Sequence, residues 1–475
     1  MNFRLLLVIL ALAGWNPGPP AARGLRAVRL RTDALAEPLG IDDPRPEFSW
    51  QLGGGDAQSS YQVRVESDGR LVWDSGPVPS GDQFGIRYDG EALRSGRRYQ
   101  WRVRLTDGAG GSAGWSEPSW FEMGILEPQR WVARWITGAP PSSSDDDSVL
   151  YLRGSLKLPA AAVRGRAYAS ALGWYRLYVN GADVTGRALV PRFTPFEKVV
   201  EYQAYDVTRL VRAGRNLVCI AVADGRFRGR LGFYDRRRVY GDRLAAFLQV
   251  ELELADGTSM TWSTDETWVA GPGRIVGADP KEGERVDLRI PDSDWLFARR
   301  VPERFHAASL LPLHPRQLVG EEVPRVTEIA RLRPRRIWRA PSGRQLVDFG
   351  QNAAGRVRIL LGGSRGTVVR MRHSELLGDR GELDTTYLLG DEPRHPFQRD
   401  EIVLDGAETW YEPWFTIHGF RYLEVEGLPR DLGPRDVEAV VLSSALEQAG
   451  AFACSDARLN RLWQNVLWST RSNFT

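Results

Sequence analysis

The chain is 475 residues long, which is enough for about three domains of ordinary size. Its 63 basic and 60 acidic side chains leave a net charge of +3, and this near balance excludes a strongly basic surface of the kind that binds nucleic acid. A mean hydropathy of -0.35 excludes a protein with many membrane spans.

The amino-terminal residues 1–24 have the pattern of a secretory signal peptide. Asn2 and Arg4 precede an apolar run at residues 5–13, which is too short to span a bilayer, and three prolines within residues 17–20 then exclude a helix. The pattern predicts export, so we expect a secreted or periplasmic bacterial protein. The alternative is an unprocessed amino terminus with no targeting role.

Residues 25–126 predict a β-sandwich. Two segments, 61–67 and 99–106, alternate between apolar and polar side chains with the period of two that is typical of half-buried strands. The spacing of strands and turns resembles a fibronectin type III domain. Residues 127–148, which end in a run of serines and aspartates, are predicted to be a linker.

Two further β-rich segments follow, at residues 149–313 and 314–444. In the first, Asn180-Gly181 and Asp256-Gly257 are strong signals for two β-hairpins. The second contains several short alternating apolar runs. We interpret both segments as β-sandwich domains.

Several strings in the third segment look catalytic but have a simpler interpretation. The triplet at residues 348–350 spells a kinase metal-binding motif without the other kinase motifs. Glu375, Glu382 and Asp384 cluster, but we interpret them as a solvated turn and not as the carboxylate pair of a glycosidase. The five histidines lack the spacing of a metal site, and His418 is interpreted as a buried hydrogen-bonding residue.

Residues 445–475 predict a helix at the end of the chain. Ser455 or Asp456 is a candidate N-cap, and apolar residues then recur at spacings of three and four. These apolar residues are Leu459, Leu462, Trp463, Val466 and Leu467. Such a stripe requires a partner surface, so the pattern predicts that the helix leads into an α-helical domain.

Aromatic residues in the second segment are candidates for binding carbohydrate. Aromatic rings stack on the apolar faces of sugars while charged groups bind the hydroxyls, and Trp174 lies in an aromatic cluster that precedes a glycine-rich loop. From this loop we take Asp224, Arg226 and Arg228 as the candidate polar contacts. The alternative is that the rings form the core of the sandwich.

No cofactor is predicted. Asp224, Asp235 and Asp242 carry carboxylates of the kind that bind calcium. Surface carboxylates are common, however, and no calcium site is assigned from them. No metal ligands are assigned elsewhere in the chain. The oligomeric state is not predicted.

Several blocks of sequence resemble bacterial α-L-rhamnosidases of glycoside hydrolase family seventy-eight. The blocks occur in the order of that family and are R-T-D-A-L-A-E-P-L-G-I-D-D-P-R-P-E-F-S-W (31–50), L-Y-V-N-G (177–181), Y-Q-A-Y-D-V-T (202–208), D-F-G-Q-N-A-A-G (348–355) and E-P-W-F-T-I-H-G-F-R-Y-L-E-V (412–425). Together with the closing helix they cover nearly the whole chain after the signal peptide.

The resemblance implies a fold and a function. The fold is mainly β, with a fibronectin type III-like sandwich, jelly-roll-like sandwiches and then the first helix of a truncated α/α barrel. The function is inverting hydrolysis of terminal non-reducing α-L-rhamnose from glycosides or polysaccharides. In the family the catalytic acid and base lie in the barrel, so no catalytic residue is assigned within these 475 residues. The alternatives are a non-catalytic carbohydrate-binding protein and another exo-glycosidase of similar architecture.

Overall fold

The structure is a computed structural model that describes residues 24–54, 57–112, 114–144, 146–186, 189–232, 236–312, 317–388 and 397–475. The predicted signal peptide lies outside these residues except for Gly24. The chain divides into two compact units, one comprising Met1–Pro38 with Asp43–Met123 and the other Leu39–Asp42 with Gly124–Thr475. Within the described residues there is no helix with the length and apolar character needed to cross a membrane.

The first unit contains two antiparallel sheets. The strands up to residue 123 are β1 (Arg26–Thr32), β2 (Leu39–Ile41, which is grouped with the second unit), β3 (Glu47–Gly53), β4 (Ser60–Ser67), β5 (Arg70–Asp74), β6 (Ile86–Arg87), β7 (Arg98–Thr106) and β8 (Ser119–Met123). One sheet has the order β1-β3-β6, and the other contains β8-β7-β4-β5. Phe48 of β3 and Trp101 of β7 pack with ring centroids 4.5 Å apart, so the apolar faces of the two sheets meet in a β-sandwich core.

The second unit begins with a larger sandwich. Its elements up to residue 320 are β9 (Ile136–Thr137), β10 (Leu150–Leu158), β11 (Ala162–Leu172), β12 (Trp174–Val179), β13 (Ala182–Asp183), β14 (Val199–Asp206), β15 (Gly214–Ala223), α1 (Gly225–Arg228), β16 (Ala245–Leu254), β17 (Ser259–Ser263), β18 (Val269–Gly271), β19 (Ile275–Asp279), β20 (Gly283–Asp287), α2 (Asp292–Leu296), β21 (His306–Ala307), β22 (Ser309–Leu310) and β23 (Gln317–Gly320). One sheet has the order β13-β12-β15-β10-β18-β21, and the other has the order β22-β9-β16-β11-β14-β23 with β17 beside β16.

The predicted hairpin at Asn180-Gly181 is confirmed. Both residues have positive φ, 51° and 83°, as the tight turn between β12 and β13 requires. The strand β9 lies within the predicted linker 127–148 and pairs with β16, so this part of the linker belongs to the sandwich.

A third sheet completes the second unit. Its strands and the closing helix are β24 (Val326–Leu332), β25 (Arg336–Arg339), β26 (Gln345–Leu361), β27 (Val368–Ser374), β28 (Leu376–Leu377), β29 (Leu383–Asp384), β30 (Arg399–Val403), β31 (Thr409–Tyr411), β32 (His418–Glu426), β33 (Val437–Ser444) and α3 (Ala457–Asn473). The order is β19-β20-β30-β27-β32-β26-β33-β24, with β25 and β31 beside β26, while β28 and β29 pair separately. Because β19 and β20 come from the preceding segment, the two predicted domains share this sheet. The predicted boundary between residues 313 and 314 lies outside the described residues.

Strand β12 is buried on both of its faces. Trp174 and Tyr178 belong to a core shared with the third sheet, whereas Tyr175, Leu177 and Val179 belong to the core between the two sheets of the sandwich. The alternation of side chains along a strand explains this division, since successive residues point to opposite faces.

The predicted closing helix is confirmed as α3. The side chain of Asp456 accepts a hydrogen bond from the backbone N–H of Arg458 and therefore caps the amino-terminal end. The carboxyl-terminal end contacts the third sheet, where the hydroxyl of Ser472 accepts a bond from the backbone N–H of Ala354 and the carbonyl of Phe474 accepts one from Ser444. The predicted fold class, β-sandwiches followed by a helix, is thus confirmed.

Candidate functional site

Trp174, the predicted sugar-stacking residue, lies in the core. Its side chain is 4% exposed, and the turn that begins α1 lies against it. Gly225 in that turn has a φ of 50°, and a Cβ there would come within 2.9 Å of the indole ring. The ring is covered on this side and cannot stack on a sugar there. Its placement fits the alternative given above, that Trp174 is part of the core.

Asp224 is the centre of a buried ion-pair network. Its two carboxylate oxygens accept hydrogen bonds of 2.5 Å from Arg228 Nε and Arg237 Nη2. Burial raises the pKa of Asp224 to about 7, although both arginines act to lower it. Each oxygen already bonds to a guanidinium group, so Asp224 has a structural role here and does not suit the calcium ion considered above. Asp235 lies outside the described residues.

The network continues into the neighbouring strands. Asp279, also fully buried, accepts a hydrogen bond from the backbone N–H of Arg230 at 2.9 Å. The guanidinium of Arg230 pairs with Glu282 at 2.5 Å. These contacts join the loop after β15 to the hairpin of β19 and β20. The glycine-rich loop that supplied the candidate sugar contacts is therefore anchored between the sandwich and the third sheet.

The other two predicted site residues also bind parts of the protein. Arg228 Nη2 donates to the carbonyl of Ser148 at 2.7 Å. Arg226 is half-buried, and its Nη2 donates to the carbonyl of Thr475 at 3.1 Å. The structure thus brings the four predicted residues together around α1, as proposed, but their polar groups face protein partners. Arg228 alone among them reaches the wall of an open cleft.

That cleft has a volume of about 630 Å³, which is in the range of small-ligand sites. Asp242, which is exposed and was considered above for calcium, lines the cleft together with Arg228, Arg243, Arg304 and His306. In the part of the chain that the structure describes, Arg243 Nε and Arg304 Nη2 are buried without a hydrogen-bond partner. The charged side chains that line the cleft can bind the hydroxyl groups of a ligand.

A second cluster of reactive side chains lies in the third sheet. His373 of β27, Asp400 of β30 and His418 of β32 are all buried on adjacent strands, and their potential ligand atoms lie within 4.8 Å of one another. The prediction that His418 is buried and hydrogen-bonded is confirmed, since its Nε2 lies 3.2 Å from both oxygens of Asp400. The sequence analysis missed the cluster because sheet pairing, and not sequence spacing, brings these residues together.

Burial and neighbouring groups set the protonation states of His373 and Asp400. Burial, together with the neighbouring His418, lowers the pKa of His373 to about 3, so this imidazole is neutral at physiological pH. Burial acts to raise the pKa of Asp400, but the charge and hydrogen bond of His418 outweigh it and the pKa is lowered. The cluster is therefore an ionised carboxylate facing at least one neutral imidazole in the core.

Three family models match consecutive parts of the chain. Residues 27–127 match the Rha78A-like, N-terminal immunoglobulin domain, residues 160–328 match the alpha-L-rhamnosidase N-terminal domain, and residues 338–443 match the bacterial alpha-L-rhamnosidase concanavalin-like domain. The chain belongs to the bacterial α-L-rhamnosidase family. The family expected from the sequence blocks is confirmed.

Curated relatives and solved structures agree with this assignment. An alpha-L-rhamnosidase of Formosa agariphila is 27% identical over 478 residues, which cover 93% of this chain and 50% of the relative. A structure of an α-L-rhamnosidase from Dictyoglomus thermophilum matches with a TM-score of 0.85 and 29% identity over 95% of this chain and 52% of that chain. A Streptomyces avermitilis α-L-rhamnosidase complexed with L-rhamnose matches with a TM-score of 0.85 and 26% identity over 95% and 60%.

The match extends over only part of the relatives. The chain spans about half the length of the curated and structural relatives that it matches, and three fifths in the Streptomyces avermitilis case. The domain descriptions assign the shared part to amino-terminal and concanavalin-like domains. The remainder of those proteins has no counterpart among the 475 residues.

Proposed function

We propose that this chain is the non-catalytic β-sandwich portion of an α-L-rhamnosidase that releases terminal non-reducing α-L-rhamnose from glycosides or polysaccharides. The observation that carries the proposal is the succession of three rhamnosidase domain models over residues 27–443, in a chain that aligns over 95% of its length with solved rhamnosidases. Inverting glycosidases use one carboxylic acid as general acid and one carboxylate as general base.

The carboxylates considered above have structural partners. Glu375 accepts a hydrogen bond from the Asn352 side chain, and Glu382 accepts from both the backbone N–H and the hydroxyl of Ser342. Asp384 accepts from Thr386 two residues later, which is a local turn contact. These residues stabilise turns, which supports a catalytic acid and base contributed from outside the described sandwiches.

Hydrolysis of an aryl α-L-rhamnoside tests the proposal. We expect no turnover by the 475-residue chain above a heat-denatured control and clear turnover by the complete product of the gene, whatever its length. Turnover by the 475-residue chain would show that a catalytic pair lies within it. An inactive complete product that is folded would favour the alternative, a carbohydrate-binding protein.

We further propose that the protein is exported. The support is the signal-like pattern of residues 1–24, in which an apolar run follows an amino-terminal arginine. Amino-terminal sequencing of the protein purified from its host tests this. A mature protein that begins near residue 24 is expected, and a start at Met1 in the cytoplasmic fraction would contradict export.

The first unit is, in our proposal, of the fibronectin type III kind. The support is the division of its strands into a sheet of β1, β3 and β6 and a sheet with β5 beside β4, all paired antiparallel. An experimental structure of residues 25–126 that retains this pairing would support the assignment, and transfer of β5 to the other sheet would contradict it.

We also propose that any rhamnose site of the second sandwich lies in the cleft between Arg243 and Arg304 and not at Trp174. The arginine side chains that line the cleft support it, and the burial of Trp174 argues against the ring. A monosaccharide buries few atoms, so we expect a dissociation constant of roughly millimolar magnitude.

Ligand-observed NMR with L-rhamnose tests the cleft. Arg243→Ala is expected to abolish the signal, whereas Trp174→Phe, which keeps a ring in the core, is expected to retain it. Exposed Arg336→Ala, on the third sheet, is the matched control for loss of one arginine. Loss of binding in Trp174→Phe with unchanged binding in Arg243→Ala would contradict the proposal and restore the ring as the contact.

A further inference from the structure

A basic groove lies beside β25 in the third sheet. It has a volume of about 380 Å³, in the range of small-ligand sites, and is lined by β25 and by the loop that joins β32 to β33. Among the residues that line it, Arg335, Arg336 and Arg339 are basic and Asp431 alone is acidic. The groove therefore has an excess of two positive charges, in a chain whose net charge is only +3.

Two of the three arginines are available to an anion. Both Arg335 and Arg336 are exposed, and within the described part of the chain neither forms an ion pair. Arg336 lies opposite Asp348 in the pairing of β25 with β26, but the carboxylate of Asp348 already accepts two hydrogen bonds of 2.8 Å from Arg421. This carboxylate is thus occupied by another guanidinium.

The aromatic contact of Arg336 leaves its hydrogen-bond donors available. The guanidinium carbon lies 4.8 Å from the centre of the Trp338 ring, over the ring. This cation–π contact orients the guanidinium but supplies no oxygen to accept its hydrogen bonds. The planar fork of donors matches a carboxylate or a sulfate group, which can accept two parallel hydrogen bonds from it.

The other wall of the groove is fixed by Gln345, which is buried. Its Oε1 accepts a hydrogen bond of 2.7 Å from the backbone N–H of Leu432, and its Nε2 donates one of 2.7 Å to the carbonyl of Arg430. Arg339 joins the same loop to β25 through its ion pair with Asp431. A site that is already formed loses less conformational entropy when a ligand binds.

We propose that this groove binds an anionic sugar unit of a polysaccharide, one that carries a carboxylate or a sulfate ester. Arg335 and Arg336 bind the anionic group, and the half-buried Ile337 and Trp338 offer apolar surface to the sugar ring. The choice of a sugar rests on the proposed function, in which the enzyme acts on glycosides or polysaccharides. The groove shares no lining residue with the cleft of Arg243, and L-rhamnose, which has no anionic group, is not its ligand.

Ligand-observed NMR with the 475-residue chain tests the groove. D-glucuronate and D-glucose sulfated at its primary hydroxyl carry the two kinds of anion on the same sugar, and neutral D-glucose is their control. We expect at least one of the two anionic sugars to bind with a dissociation constant of roughly millimolar magnitude, and we expect no signal from glucose. Binding of one anionic sugar alone identifies which anion the groove selects. Absence of binding by both, or equal binding of glucose, would overturn the proposal.

A double variant locates the binding. Arg335→Ala with Arg336→Ala is expected to weaken binding at least about tenfold, because both sets of guanidinium donors are lost. Arg209→Ala with Arg212→Ala removes two exposed arginines between β14 and β15 and is the matched control, which should bind as the parent protein does. Undiminished binding in the groove variant, or an equal loss in the control, would overturn the proposal.

The salt dependence of the parent protein tests the groove without any substitution. An increase in NaCl from about 0.05 M to about 0.5 M should weaken the binding of the anionic sugar, because the arginines are exposed and salt screens their charge. An affinity that does not change with salt would contradict binding through these guanidinium groups.

An acidic peptide is the other class of ligand that suits a basic groove. A blocked peptide of three glutamates should bind more weakly than the anionic sugar, and tighter binding of the peptide than of either sugar would overturn the proposal in favour of a protein partner. None of these measurements uses rhamnoside hydrolysis. Failure of the groove to bind therefore leaves the proposed hydrolysis standing, and an inactive complete protein that binds anionic sugar would contradict the proposed function alone.

Discussion

At the scale of single residues, the buried charge of Asp224 is matched by partners of opposite sign. Its side chain is fully buried between the guanidinium groups of Arg228 and Arg237. A buried pair adds little net stability compared with apolar side chains, but removal of one partner leaves an uncompensated charge. The role of such residues is therefore clearest when one partner is deleted.

Asp224→Ala is expected to lower the free energy of unfolding by about 3–5 kcal/mol at pH 8, because two buried guanidinium groups lose their counter-ion. Denaturation by urea, followed by tryptophan fluorescence, measures the loss. Asp242→Ala, at an exposed position in the adjacent cleft, is the control and should change stability by less than about 0.5 kcal/mol. Equal effects of the two substitutions would contradict the assigned role of the network.

Asp348 gives a pH-dependent prediction. Arg421 donates two hydrogen bonds of 2.8 Å to its carboxylate, and these lower the pKa of Asp348 despite partial burial. A carboxyl group with a lowered folded-state pKa stabilises the protein above its unfolded-state pKa of about 4, and this stabilisation is lost as the pH falls through the folded-state pKa.

Asp348→Asn should therefore cost about 1 kcal/mol at pH 7, and the difference from the parent protein should shrink towards zero as the pH falls below about 3. Asp431→Asn removes an exposed ion pair with Arg339 and should have a smaller effect at every pH. A difference that grows on acidification would contradict the sign of the pKa shift.

At the scale of elements, α3 combines a docked end with an exposed stripe. Leu459, Leu462 and Val466 are 48%, 57% and 49% exposed, respectively, whereas the end of the helix is bonded to the third sheet. The stripe was predicted from the sequence as a surface in need of a partner. Helical apolar side chains left in water promote association.

Replacement of Leu459, Leu462 and Val466 by Gln should reduce self-association and dye binding without lowering the melting temperature, because none of the three is buried in the chain. Light scattering and differential scanning fluorimetry measure the two effects. Ser472→Ala, at the docked end, is the matched control and should leave self-association unchanged. A fall in the melting temperature of the triple variant would show that the stripe is packed in solution.

The sequence predicted those elements whose signals are local. The Asn180-Gly181 turn, the Asp456 cap and the alternation of β7 depend on neighbouring residues and are present in the structure. The burial of Trp174 was not predictable from the sequence, since an aromatic ring in a core and an aromatic ring that binds sugar can have the same neighbouring residues.

The cluster of His373, Asp400 and His418 depends on long-range pairing. Its members come from three strands that become neighbours only in the sheet, so spacing along the chain carries no signal for them. The same holds for β19 and β20. They follow strands of the sandwich along the chain but pair within the third sheet, where β20 lies beside β30. Sheet order is the information that the sequence patterns lacked.

At the scale of the whole molecule, two compact units provide extensive β-structure. The proposed hydrolysis also requires a catalytic acid and a catalytic base from outside the described sandwiches. The chain aligns with between 52% and 60% of the solved rhamnosidases described above. The central claim is that these domains belong to an inverting α-L-rhamnosidase, in which a water molecule attacks the face of the sugar opposite the leaving group.

Proton NMR of the first sugar released by the complete gene product tests this claim most directly. From an aryl α-L-rhamnoside we predict β-L-rhamnose as the initial product, followed by mutarotation to the equilibrium mixture. Aryl α-L-fucoside and β-D-glucuronide, offered in parallel, should remain intact. Initial release of α-L-rhamnose, or cleavage of another glycoside in preference to the rhamnoside, would contradict the account.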